Sequence, residues 1–166
     1  MPYILAILLC IAADQGVKHY VVSHLALYDR APLVPGIVEL LYIRNTGGGF
    51  SILEGHTWAL TVLTAVLMAA IAVLLAKKYF SHPLGMWALT IILGGGLGNL
   101  IDRIRLGYVV DMFNFQFIHY PVFNVADILV VCGTFGFAAY YLLLYGKAEK
   151  TEEGADHGDE NASDSQ

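Results

Sequence analysis

Four stretches of the chain stay apolar for about twenty residues or more: Pro2 to Leu27, Thr57 to Phe80, Leu84 to Ile104 and Phe123 to Tyr145. The hydrocarbon core of a bilayer takes about 20 apolar residues per helix, so each stretch is predicted to be a transmembrane helix. The intervening segments have other patterns. From Tyr28 to His56, Pro32, Pro35 and the glycines at 47, 48 and 49 forbid one continuous helix, while Leu33 to Ile43 is β-branched and apolar enough for short strands. A small β element lying on the membrane surface is expected there. Ser81, His82 and Pro83 form a tight turn, and Arg105 to Val122 carries Phe113, Phe115, Phe117, His119 and Tyr120, rings suited to the interfacial belt. The predicted fold is an all-α membrane protein, a single domain over residues 1–146 with four transmembrane helices and a β element at about 28–56.

Composition agrees with lipid as the solvent, since 57% of residues are hydrophobic and only 14% charged. The net charge of -5 comes entirely from the tail: residues 1–146 hold seven basic and seven acidic side chains, whereas 147–166 hold two against seven. With no basic surface, nucleic-acid binding is excluded. The tail has almost no apolar residues and is expected to be a disordered, dispensable cytoplasmic extension. Orientation by positive charge is a tie between Lys77, Lys78, Lys147 and Lys150 on one side and Arg30, Arg44, Arg103 and Arg105 on the other. Both termini are placed in the cytoplasm because Arg44 and Arg103 stand beside Asn45 and Asp102 and read as structural. The N-terminal run lacks a basic start and contains Asp14 and Lys18, so it is expected to be retained as a helix. Cys10 and Cys132 sit in apolar runs, the six histidines show no ligand spacing, and no metal or cofactor is expected.

Charges in or beside hydrocarbon are costly and are functional or paired when present. Asp14 and Lys18, four residues apart, can form an ion pair on one helix face, and a structural role there is at least as well supported as a catalytic one. Asp102 and Arg103 follow GGGLGN, whose small residues allow close approach of a helix or a substrate backbone. Asp111, in the extended-looking GYVVDMF, and Asp127, in FNVAD, both fall near a membrane boundary on the same side. Two carboxylates held together share a proton and supply a general base and a general acid. The plain alternative is that each caps a helix, and spacing alone favours that alternative.

Five blocks taken in order carry more than their spacing. DQGVK at 14–18, RNTGGGFS at 44–51, GGGLGNLIDR at 94–103, GYVVDMF at 107–113 and FNVAD at 123–127 resemble the motifs of the lipoprotein signal peptidase (signal peptidase II) family. The departure is at Gly48 and Gly49, where the family usually has alanines. The resemblance implies an aspartic peptidase of the bacterial inner membrane that cleaves prolipoproteins just before a diacylglyceryl-modified cysteine. It implies Asp111 and Asp127 as the catalytic pair and Asn45, Asn99, Arg103 and Asn124 as substrate-pocket residues. Asp14, Lys18, Asp102 and Gly47 become supporting residues. It further implies both termini in the cytoplasm, an extracytoplasmic β-cradle with a loop or helix closing over the site, and membrane lipid and the prolipoprotein as partners of a monomer. Without the blocks, a small transporter using Asp14 would rank level with a peptidase, and an anchor packing through GGGLG would follow.

Overall fold

The structure is a computed structural model that describes residues 1–48 and 55–145; the acidic tail and residues 49–54, which include the end of the RNTGGGFS block, lie outside the described residues. The elements are α1 (Pro2–His24), β1 (Arg30–Val34), β2 (Val38–Asn45), α2 (Thr57–Ala76), α3 (Pro83–Leu106), β3 (Val109–Phe115) and α4 (Val125–Tyr140), which continues as a π-helical turn over Tyr141–Tyr145. All four helices, α4 with its continuation, are long and apolar enough to cross a membrane. α1 and α3 each begin with proline in the first turn, where a missing N–H costs nothing. α3 ends at Gly107, whose φ of 77° is the left-handed stop that glycine adopts freely.

α3 is the buried axis of the bundle. The other three helices turn apolar side chains outward, among them Leu8 and Leu9 of α1, Val62 and Val66 of α2 and Phe135 of α4, a surface that only lipid solvates well. The glycine run explains the central place of α3. Successive helix residues step by about 100°, so Gly94, Gly95 and Gly96 point at three different neighbours. A Cβ on Gly94 would lie 2.6 Å from Cys10 Cβ of α1, one on Gly95 2.6 Å from Ala126 O of α4, and one on Gly96 against the Met68 side chain of α2. Helix packing is therefore one role of GGGLG.

The three strands form one antiparallel sheet in the order β1-β2-β3. Its third strand comes from the α3–α4 connection, which differs from the expectation of a β element confined to the segment between the first two helices. The cause is long-range pairing. Ile43 pairs with Asp111, Arg44 with Val110 and Asn45 with Val109, partners that no local pattern reveals. One face of the sheet buries Tyr42, Val110 and Met112 on Val21 at the C-terminal end of α1. The other face, carrying Glu39, Leu41, Ile43 and Asn45, borders an open groove. Thr57 at the start of α2 donates to Thr46 O at 2.7 Å, and α4 starts at Asn124, so all four helices reach the sheet end of the bundle.

Candidate active site

Asp111 stands on β3 and is buried, one residue before Met112 enters the sheet core. Asp127 stands in the first turn of α4. There the helix-capping reading is correct: Asn124 Oδ1 accepts from Asp127 N at 2.9 Å and Asp127 Oδ2 accepts from Asn124 N at 3.1 Å, a reciprocal capping box. The cap occupies only one carboxylate oxygen. Asp127 Oδ1 accepts from Asn99 Nδ2 at 2.8 Å, and both aspartates line one cavity of about 380 Å³.

Each carboxylate is held by amides whose orientation is forced. Asn45 Nδ2 donates to Asp111 Oδ2 at 2.9 Å, and the Gly47 N–H, which can only donate, takes the Asn45 oxygen at 2.9 Å. Asn124 Nδ2 donates to Asp111 Oδ1 at 2.6 Å, because the Asn124 oxygen is already engaged by the helix cap. Asn99 turns its oxygen to Lys18 Nζ at 2.8 Å, which leaves its NH₂ for Asp127. Gly47 thus matters through its backbone, and Asn45, Asn99 and Asn124 converge on the two aspartates. Burial, followed by the nearby Asp127 charge, pushes Asp111 up to about 7, although Asn45, Asn124 and Lys18 act in the opposite direction.

Arg103 borders the same cavity. Its Nη2 reaches Gly47 O at 3.3 Å, while its buried Nε–H has no acceptor among the described residues. Behind the aspartates lies a charged layer. The Lys18 ammonium contacts Asp14 Oδ2 at 2.8 Å, Asp102 Oδ2 at 2.9 Å and Asn99 Oδ1 at 2.8 Å, one acceptor for each of its three N–H groups. The expected Asp14–Lys18 pair is therefore present, and its second carboxylate, Asp102, comes from α3. Gln15 completes the layer, donating to Asp102 Oδ1 at 2.8 Å and to Gly98 O at 3.2 Å. Sequence reasoning passed over Gln15; an uncharged polar residue between Asp14 and an apolar helix face was the available signal. Gly98 makes room for the layer, since a Cβ there would lie 2.6 Å from Asp14 Oδ2.

The cavity has two kinds of wall. Toward the bundle it is apolar, with Leu67, Met68, Val130 and Val131; toward the sheet it shares Asn45, Tyr120 and Val122 with the larger groove of about 1100 Å³. Such a site places two carboxylates, their amide donors and a guanidinium around one cavity that is apolar on its bundle side and polar on its sheet side.

Comparison with known proteins identifies the family. The family model described as "Signal peptidase (SPase) II" matches residues 6–143. Proteins named lipoprotein signal peptidase from Streptococcus pyogenes serotype M5 (strain Manfredo) and serotype M18 (strain MGAS8232) are each 42% identical over 135 residues, covering 79% of this chain and 86% of theirs. Two solved structures titled as bacterial membrane enzymes obtained by the in meso method share the fold, with TM-scores of 0.80 and 0.77 at 24% and 25% identity. They cover 90% and 87% of this chain and 91% and 94% of their own. The chain belongs to the signal peptidase II family, the lipoprotein signal peptidases, and is a membrane peptidase.

Proposed function

We propose that this peptidase removes the signal peptide from diacylglyceryl-modified bacterial prolipoproteins, cleaving before the lipidated cysteine by water activation between Asp111 and Asp127. The observation that carries the reading is the convergence of both carboxylates on one cavity, each oxygen held by a donor of fixed orientation. The pair holds one proton near neutral pH. The ionised carboxylate takes a proton from water as its oxygen attacks the scissile carbonyl carbon, and the protonated partner gives its proton to the carbonyl oxygen. When the tetrahedral intermediate collapses, the C–N bond breaks, the leaving nitrogen takes a proton from the carboxyl that received it, and the carbonyl oxygen returns its own. The dyad ends with one proton again.

The Arg103 guanidinium, which borders the cavity, supplies a donor to a substrate carbonyl, in a low-dielectric setting where such a bond is strong. The second hydrogens of the Asn45 and Asn99 amides are further donors. The apolar wall takes the signal helix and the acyl chains; the groove over the sheet takes the chain that follows the cysteine. Both termini are cytoplasmic, the sheet lies at the extracytoplasmic face of the inner membrane, and the enzyme acts as a monomer.

The test is cleavage by the purified protein in detergent. The expected result is release of the signal peptide from the lipid-modified precursor, with a mass showing the modified cysteine at the new N-terminus, and no release from the unmodified precursor. Equal cleavage of both precursors, or of neither, contradicts the reading.

A further inference from the structure

The charged layer reaches the backbone beside each aspartate. Asp102 Oδ2, besides meeting Lys18, accepts from the N–H of Val110, the residue before Asp111, at 3.1 Å. Asp14 Oδ1 accepts from the N–H of Ala126, the residue before Asp127, at 2.9 Å. One ammonium on α1 therefore joins a carboxylate that grips β3 and a carboxylate that grips α4, while its third N–H orients the amide that bonds Asp127.

We propose that Asp14, Lys18 and Asp102 form a clamp that sets the separation of Asp111 and Asp127, with Lys18 as a positioning residue for the reaction rather than a packing ion pair. The inference rests on the peptidase reading above and adds a role for a buried group that does not line the cavity. Packing an ion pair into a bundle needs two partners. Here α1 and α3 meet at one charge, and each carboxylate also accepts from the backbone N–H of the residue before an aspartate, Asp102 from β3 and Asp14 from α4. β3 and α4 are otherwise joined beside the aspartates through the Phe113–Phe123 bridge and through Asn124, whose Nδ2 also donates to Asn99 Oδ1 on α3 at 3.1 Å, so that Lys18 and Asn124 share the acceptor that orients Asn99. Displacing a reacting group by about 1 Å costs on the order of 10²-fold in rate.

Lys18→Met leaves two carboxylates facing each other and is expected to fold poorly, so Asp14→Asn and Asp102→Asn decide. An asparagine oxygen can still accept the backbone N–H, but without the charge that binds Lys18. Thermal unfolding, kinetics on the lipid-modified precursor and amide hydrogen exchange are measured for each. Both variants are expected to stay folded, to hold KM within about twofold and to lose about 10²-fold in kcat. Exchange is expected to rise at Val110 in Asp102→Asn and at Ala126 in Asp14→Asn. The pH–rate profile is expected to change shape, because the two aspartates interact differently when their spacing changes, with Asp14, Lys18, Asp102 and Arg103 the other charges facing them. Folded variants with wild-type kcat, or with exchange unchanged at both amides, overturn the clamp while leaving the peptidase reading intact. A loss of activity that merely tracks the unfolded fraction, with an unaltered pH profile, overturns it as well. A wild type that cleaves nothing overturns the peptidase reading, and the clamp with it.

Discussion

Asp111 is held between opposing influences. Burial and the Asp127 charge raise its carboxyl to about 7, and the bond from Asn45 restrains the rise. The proposed mechanism needs one proton on the pair, so activity is expected to fall on the alkaline side with an apparent constant near 7, a property of the pair rather than of one residue. Asn45→Ala removes a donor to the ionised form, and its sign is fixed: the alkaline limb moves to higher pH. A loss of roughly 10- to 100-fold in kcat accompanies it, the worth of a hydrogen bond to a charged group. A pH series of kcat/KM for both proteins checks the shift, and a limb moving to lower pH refutes it. Residue types alone mark Asp14, Lys18, Asp102, Arg103, Asp111 and Asp127 as expensive charges. The Asp14–Lys18 pair was legible because four residues is one helical turn. Asp102 as its second partner was not, because that contact spans two helices.

Helices and sheet differ in how openly the sequence declares them. The four helices follow from lipid, which demands about 20 apolar residues in a row and leaves a long signal. β3 follows from pairing with β2, more than sixty residues away in the chain, and its aromatic residues read equally well as an interfacial loop. The Phe115 ring in fact packs 5.1 Å from Phe123, centroid to centroid, beside the strand. Within α3, Gly98 is legible as a small residue but not as the seat of a carboxylate. Gly98→Ala is expected to push Asp14 off Lys18 and lower activity at least tenfold, whereas Gly16→Ala, whose added Cβ meets nothing within 4 Å, is expected to be tolerated. Comparable losses from both substitutions would show that helix flexibility, not space for Asp14, is what glycine provides. Glu39 ties the sheet together by accepting from Arg30 of β1, from Asn114 at 2.8 Å and from Gln116 at 3.1 Å. The Asn114 bond foremost, with Arg30 and Gln116, holds its carboxyl below the usual range against the opposing effect of burial. The ionised form thus favours the folded sheet above that range, and its contribution is lost as pH falls through the lowered value. Glu39→Gln is accordingly expected to raise KM for the lipid-modified precursor and leave kcat near wild type.

At the scale of the molecule, one helix bundle presents an apolar exterior along its length and a polar site at one end, the arrangement that the proposed lipid-modified substrate requires. Orientation is testable by labelling. With Cys10 and Cys132 replaced by alanine, a membrane-impermeant thiol reagent applied to intact spheroplasts is expected to label Leu33→Cys, on exposed β1, and to spare Lys77→Cys at the α2–α3 end; the opposite pattern inverts the topology. Truncation after Gly146 is expected to leave insertion and turnover within about twofold of the full chain, since Lys/Arg and Asp/Glu balance in residues 1–146.

The central claim is that two aspartates perform the hydrolysis, and its most direct test is single-turnover cleavage of the diacylglyceryl-modified precursor by wild type, Asp111→Asn and Asp127→Asn at matched folding. The expected result is complete conversion by wild type and loss of at least 10³-fold in each variant, each still binding the precursor with near-normal affinity. Near-normal cleavage by either folded variant would contradict the claim.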